Sequence, residues 1–187
     1  MAPHVSTKNA LTAALKKLMA EKPFAKISVG DICEECSLNR KSFYYHFRDK
    51  YELVNWVFTT EFVNELEGKE IESDWDFFEC LCDYFYTNRD FYRNALSFCG
   101  QNSFNDYFHE FLSLPISQQI SKTVLDDENI DFYVGFFTDS VLHAIERWIA
   151  ASSCRPPEEF TALLKKALLA AAEKLMHDNE QSPADGH

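Results

Sequence analysis

Two helix-start signals lie eleven residues apart with almost nothing between them, and they constrain this chain more than any other feature. Ser28 and Asp31 have the spacing of a capping box, and Ile27 and Ile32 occupy the N′ and N4 positions of a hydrophobic staple. The helix they open is short, about Val29 to Cys36. Asn39 caps the next helix, with Leu38 at N′ meeting Phe43 at N4, and Asp49 with Glu52 forms a further box that opens a longer fourth helix. Only Ser37 and Leu38 separate the second helix from the cap of the third. A turn that short forces the two helices to cross steeply, which is the helix-turn-helix arrangement.

The remainder is expected to be helical as well. Glycine occurs five times and proline six, so the turn-rich composition of an all-β chain is missing. Ser6 or Thr7 is placed to cap a first helix in which Leu11, Ala14, Leu15 and Leu18 form one stripe, ending before Pro23. Beyond Gly68 the segments DWDFFECLCDYFY, RDFYRNALSFC and NSFNDYFHEFL carry aromatics on more than one face, as helices inside a bundle do. Breaks are predicted near Asn88, near Gly100 and at Pro115. A polar stretch, DDENID, leads to two longer helices, about Phe132 to Ala151 and Glu158 to His177. The fold class is therefore all-α. It divides into a helix-turn-helix module over 1–50, a helical regulatory and dimerising region over 51–177, and a tail over 178–187 expected to be disordered.

Charge separates the first two parts. Residues 1–50 hold nine Lys and Arg against five Asp and Glu, a balance of +4, whereas residues 51–187 hold nine against twenty-five, or −16. A polyanion can dock only on the N-terminal part. There, Arg40, Lys41, His46, Arg48 and Lys50 fall within eleven residues, threaded with Phe43, Tyr44, Tyr45 and Phe47.

The second helix of such a pair enters the major groove N-terminus first. That gives Arg40, Lys41, Ser42, Tyr44 and Tyr45 access to bases and phosphates, with Ser28 at the start of helix two as a further contact. Arg40 or Lys41 can donate to guanine O6 and N7, and the tyrosines can meet thymine methyls or phosphate oxygens. Phe43 and Phe47, four apart, face the core instead. His46 and Lys50 lie where the chain leaves the groove, and the Lys50 ammonium beside the amides of helix four suits a phosphate.

The segment ISVGDICEECSLNRKSFYYHFRDKYELV resembles the N-terminal domain of the TetR family of bacterial transcription regulators, whose hallmark runs close to T-x-x-x-I-A-x-x-A-G-V-S-x-x-x-F-Y-x-H-F-x-x-K-x-x-L. The likeness covers residues 7 to about 58 and is most specific at Phe43, Tyr44, His46, Phe47, Lys50 and Leu53. It implies a homodimer on a palindromic double-stranded operator, most often a repressor, released or altered by an effector in the C-terminal region. YFYTNRDFYRNALSFCGQNSFNDYFHEFL, residues 84–112, is similar to a Firmicutes-type subgroup that includes regulators of dihydroxyacetone kinase operons. That likeness implies an alternative, an activator or a regulator controlled by a protein partner.

Three departures from the family pattern stand out. Gly30 stands where the family often has arginine, Ser37 replaces the glycine of the turn, and Cys33 and Cys36 replace two small alanines.

Cys33 and Cys36 form a CxxC, open to a reading as a thiol redox sensor. No second CxxC or CxxH follows at finger spacing, so no metal site is expected, and because the family it resembles carries alanine at these positions, that resemblance implies small buried fillers. No cofactor is implied. HExxH, GxSxG and a glycine-rich phosphate loop are all missing, so no enzymatic activity is expected.

The aromatics Trp75, Phe78, Phe85, Phe91, Tyr92, Phe98, Tyr107, Phe108 and Phe111 either line a pocket for a flat or apolar effector or fill a core, since such a set reports burial and not emptiness. Asn94, Gln101, Asn102 and His143 are polar groups available to orient a ligand. Phe132, Phe136, Val141, Ala144 and Trp148, with Phe160, Leu164, Ala167, Leu168, Ala171 and Leu175, read as a dimer interface. No run of 18 apolar residues exists and MAPHVSTKNAL lacks the apolar core of a signal peptide, so a cytoplasmic, bacterial nucleoid-associated location is expected.

Overall fold

The structure is a computed structural model that describes residues 3–98, 103–123 and 128–180, with side chains over 7–98, 103–121 and 128–174. Gly100, Gln101, Asn102, residues 181–187 and the side chain of Leu175 lie outside the described residues. Within them the chain is helical: α1 (Pro3–Glu21), a 3-10 turn (Phe24–Lys26), α2 (Val29–Glu35), α3 (Arg40–His46), α4 (Lys50–Leu66), α5 (Asp74–Thr87), α6 (Arg89–Leu96), α7 (Phe104–Thr123), α8 (Ile130–Ala150) and α9 (Pro157–Glu180). No strand occurs among the described residues. None of the described helices is long and apolar enough to cross a membrane.

The chain forms two compact units, Met1–Lys69 with Thr87–Tyr107, and Glu70–Tyr86 with Phe108–His187. The first extends well past residue 50. Leu53, Val54, Val57 and Phe58 of α4 are fully buried, as is Tyr92 of α6, so the helix-turn-helix shares its core with both helices. The stripe Leu11, Ala14, Leu15 and Leu18 of α1 is buried as its spacing predicts, each leucine contributing about 1.5–3 kcal/mol by leaving water. Phe58 centres an aromatic cluster, with ring centroids 6.0 Å from Tyr92 and 5.5 Å from Phe104.

The segment between α1 and α2 is held at two points. Asn94 of α6 accepts the Phe24 amide proton at Oδ1 over 2.7 Å, and its Nδ2 donates to the carbonyls of Met19 at 2.8 Å and Lys22 at 3.0 Å. Those carbonyls belong to the end of α1, where helix geometry leaves them without partners. Asn94 is therefore a structural buckle rather than a group free to orient a ligand.

In the second unit α5 contributes Phe78, Leu81, Cys82 and Phe85 to the core, and α8 contributes Phe137, Val141, Leu142, Ile145 and Ile149. Phe85 and Phe108 meet at 5.0 Å. Trp148 stacks on Phe160 at 4.3 Å with rings parallel to within 1°, and its Nε1 donates to the Arg155 carbonyl at 2.9 Å.

Local boundaries differ from expectation in three places. α1 begins at Pro3, so Ser6 and Thr7 lie inside it and do not cap it. α7 runs through Pro115. Burial of Phe108, Leu112, Ile116 and Ile120 on one face outweighs the missing amide of one proline. Residues 178–180 continue α9 rather than opening a disordered tail.

Candidate nucleic-acid interface and regulatory cavity

Local sequence builds the helix-turn-helix. Ser28 accepts the Asp31 amide at 3.1 Å and Asp31 returns by accepting the Ser28 amide at 2.9 Å, a complete capping box. Ile27 and Ile32 are buried beside it. α2 ends in a Schellman motif: the Leu38 amide donates to the Cys33 carbonyl at 2.9 Å and the Ser37 amide to that of Glu34 at 3.2 Å. This closure requires a left-handed residue, and Ser37 adopts φ 55° without being glycine. Asn39 then caps α3 by accepting from the Ser42 amide at 2.9 Å.

α3 is anchored from below. Phe43 and Phe47 are buried, leaving Tyr44 57% and Tyr45 71% exposed, with Arg40 and Lys41 also exposed and Ser42 and His46 partly so. Tyr44 stands edge-on to Phe43 at 5.6 Å and Tyr45 edge-on to His46 at 5.0 Å, contacts that stiffen the two exposed rings. Ser28 is exposed at the start of α2. The Arg40 guanidinium folds back over that start. A Cβ placed on Gly30 would lie 2.7 Å from one of its terminal nitrogens.

Lys50, expected to meet a phosphate, turns its ammonium onto the segment before α2. Its ammonium donates to the carbonyls of Phe24 at 2.8 Å and Ile27 at 2.7 Å and lies 4.5 Å from the centre of the Phe24 ring. Desolvation draws its pKa below the ordinary lysine value, opposed by the charge of Asp31. The half-buried ammonium is thus engaged by the fold. The fourth helix is also capped in a shifted manner. Asp49 accepts the amides of Tyr51 and Glu52, while Glu52 reaches past the cap to the Arg48 amide.

The CxxC does not have the character of a thiol sensor. Burial pushes both thiols up from the ordinary value, most directly opposing thiolate formation, and Cys36 donates its S–H to the Ile32 carbonyl at 3.1 Å. Cys33 is buried in α2, and Cys36, the C-cap of that helix, is half-buried. No cluster of three potential metal ligands occurs among the described residues.

The nine aromatics divide between the two units. Phe91, Tyr92, Phe98 and Tyr107 belong to the first unit and the other five to the second. Most are consumed in ring contacts, such as Tyr51 with Phe98 at 5.4 Å and Phe77 with Phe111 at 5.9 Å. Trp75 and Phe78 alone of the nine border a cavity of about 200 Å3 between α5, α7, α8 and α9. Its other walls include Ile116, Phe137, Val141 and Leu168, and Asp74, Gln119 and Glu173 add polar groups. Periodicity could not identify these positions, because a cavity wall and a filled core present the same apolar spacing. His143 is not among them. It is exposed on α8, with Nδ1 2.8 Å from the Asp139 carbonyl.

The expected dimer seam divides. Phe132 and Phe136 of α8 are 68% and 55% exposed and stacked at 6.4 Å, and Ala167 of α9 is exposed beside Leu163 one turn earlier. Trp148, Val141 and Leu164 are buried in their own unit, and Leu168 faces the cavity, so these four are core residues. Ala144, Phe160 and Ala171 are half-buried.

Comparison with known proteins agrees with this construction. Residues 11–57 match the model of bacterial regulatory proteins of the tetR family, and residues 73–169 match a transcriptional regulator C-terminal region of the same family. The HTH-type dhaKLM operon transcriptional activator DhaS of Lactococcus lactis subsp. lactis (strain IL1403) is 24% identical over 155 residues, covering 82% of this chain and 79% of that protein. A solved dihydroxyacetone kinase operon activator DhaS shares the fold with TM-score 0.62 at 21% identity, over 90% of this chain and 97% of that one. A TetR transcriptional regulator from Streptococcus agalactiae 2603V gives 0.66 at 20% identity, over 87% and 95%. With both regions matched and the helix-turn-helix built as described, the chain belongs to the TetR family of DNA-binding transcription regulators.

Proposed function

We propose that this chain binds a palindromic operator as a homodimer, with α3 of each protomer in one major groove and an effector acting through the second unit. The observation that carries this reading is the division of α3 into two faces. Phe43 and Phe47 fix the helix to the core while Lys41, Tyr44 and Tyr45 are exposed to solvent. Base edges and phosphates are met by exposed groups of this kind. Two half-sites call for two copies, and the stacked Phe132 and Phe136 with Leu163 and Ala167 supply an apolar surface for self-association. The acidic remainder of the chain keeps clear of the duplex by repulsion.

The cavity of about 200 Å3 suits a small, mainly apolar effector, since it lies below the roughly 300–1,000 Å3 of drug-sized pockets. Repression relieved by such a molecule is the family's commoner mode. A second reading, activation together with a protein co-regulator, is favoured by similarity to an operon activator. Footprinting of the purified protein on DNA upstream of its neighbouring genes tests the first claim, with protection of an inverted repeat expected. Transcription of those genes in a deletion strain reads the sign of control, and co-purification identifies a protein partner or a small molecule.

A further inference from the structure

We propose that Arg40 is a backbone-phosphate clamp seated by Gly30, and not a reader of base edges. The proposal rests on the DNA-binding role of α3. Arg40 is the first residue of α3 and exposed, yet its side chain turns back against the first turn of α2. A Cβ on Gly30 would meet one guanidinium nitrogen at 2.7 Å and the guanidinium carbon at 3.6 Å, with the Ser28 hydroxyl 3.4 Å from the same point. The cation therefore occupies the space that any other side chain at position 30 would take.

That placement decides the role. In a helix-turn-helix the first helix of the pair crosses the phosphate backbone while the second reads the groove. A guanidinium laid over α2 beside an exposed hydroxyl is displaced toward the backbone, and its planar fork matches two phosphate oxygens. The nearby carboxylate does not neutralise it. Asp31 is already engaged by the Lys22 ammonium at 2.9 Å and by the Ser28 amide. Glycine is also a poor helix former, so its presence inside α2 is unfavourable locally and is explained by the space it leaves. Gly30 is thus a positioning residue, and the cation reaches the entrance of α2 from α3.

Fluorescence anisotropy can test this with the footprinted inverted repeat and a scrambled duplex of the same composition, across a range of salt. Arg40→Ala should weaken both duplexes by a similar factor, about tenfold, and lower the slope of log affinity against log salt by about one. Gly30→Ala keeps every charge but displaces the guanidinium. It should reproduce that loss on both duplexes with the thermal midpoint unchanged or raised, and the double variant should be no weaker than Arg40→Ala. Selective loss of the inverted repeat in Arg40→Ala, or wild-type binding by Gly30→Ala, overturns the proposal. Because Arg40 is exposed, its variant folds and keeps the test decisive even if Gly30→Ala does not. A wild-type protein that binds neither duplex removes the DNA-binding reading and this proposal with it.

Discussion

The ammonium nitrogen of Lys50 lies 2.7 Å from the carbonyl oxygen of Ile27, the residue just before the cap of α2. With the Phe24 carbonyl at 2.8 Å, this ties the start of α4 to the segment that delivers α2. Lys50→Ala should cost about 1.5–3 kcal/mol, the range for hydrogen bonds to a charged group. Urea unfolding measures that loss. The salt slope of DNA binding by the folded variant should stay at the wild-type value, whereas a fall of one unit would return Lys50 to phosphate contact.

Ser37 holds φ 55° to complete the Schellman motif, a conformation that crowds any Cβ. Ser37→Gly removes the crowding but gives the unfolded chain more freedom, so a net gain of roughly 0.5–1 kcal/mol is expected. Thermal unfolding should show a small upward shift, and Ser37→Val a downward one.

The Asp31 carboxyl titrates below its ordinary value of 3.8, chiefly because it accepts the Ser28 amide and then because of Lys22. A depressed folded pKa means the contribution is present above the unfolded value and lost as pH falls through the folded one. Wild type should therefore exceed Asp31→Asn in stability at neutral pH. The gap should close as pH drops below 3.8, read from thermal midpoints across an acid series.

Tyr44 and Tyr45 are exposed rings beside buried anchors. Tyr44→Ala should weaken operator binding by about 1–3 kcal/mol while leaving the unfolding midpoint in place. Gel-shift titration beside calorimetry separates the two quantities. A comparable loss of stability would make Tyr44 a folding residue.

The proposed self-association surface is best tested away from the cavity. Leu168→Glu would place a charge in the cavity wall, so Phe136→Glu with Leu163→Glu is the cleaner pair. Sedimentation should report folded monomers, and their affinity for the whole inverted repeat should fall to that for a halved site. A monomer retaining full affinity for the palindrome would refute dimeric recognition.

Legibility in the sequence followed the distance between partners. Ser28 with Asp31 and Asn39 with Ser42 are three residues apart, so their caps were readable from spacing, and the heptad-like recurrence of Leu11, Leu15 and Leu18 marked a buried face. The exposed and buried sides of α3 followed from the same period. The partners of Lys50 and Asn94 were not legible because they lie 23 to 26 and 70 to 75 residues away, and no local pattern distinguishes a lysine bound to carbonyls from one facing solvent. The apolar period of α8 and α9 likewise reported burial without saying against what. Tertiary packing decided that Trp148 and Leu164 fill the core, that Leu168 walls a cavity, and that Phe132 and Phe136 remain exposed. Local hydrogen bonds are encoded by neighbours, whereas long-range contacts and empty volume arise only when distant helices meet.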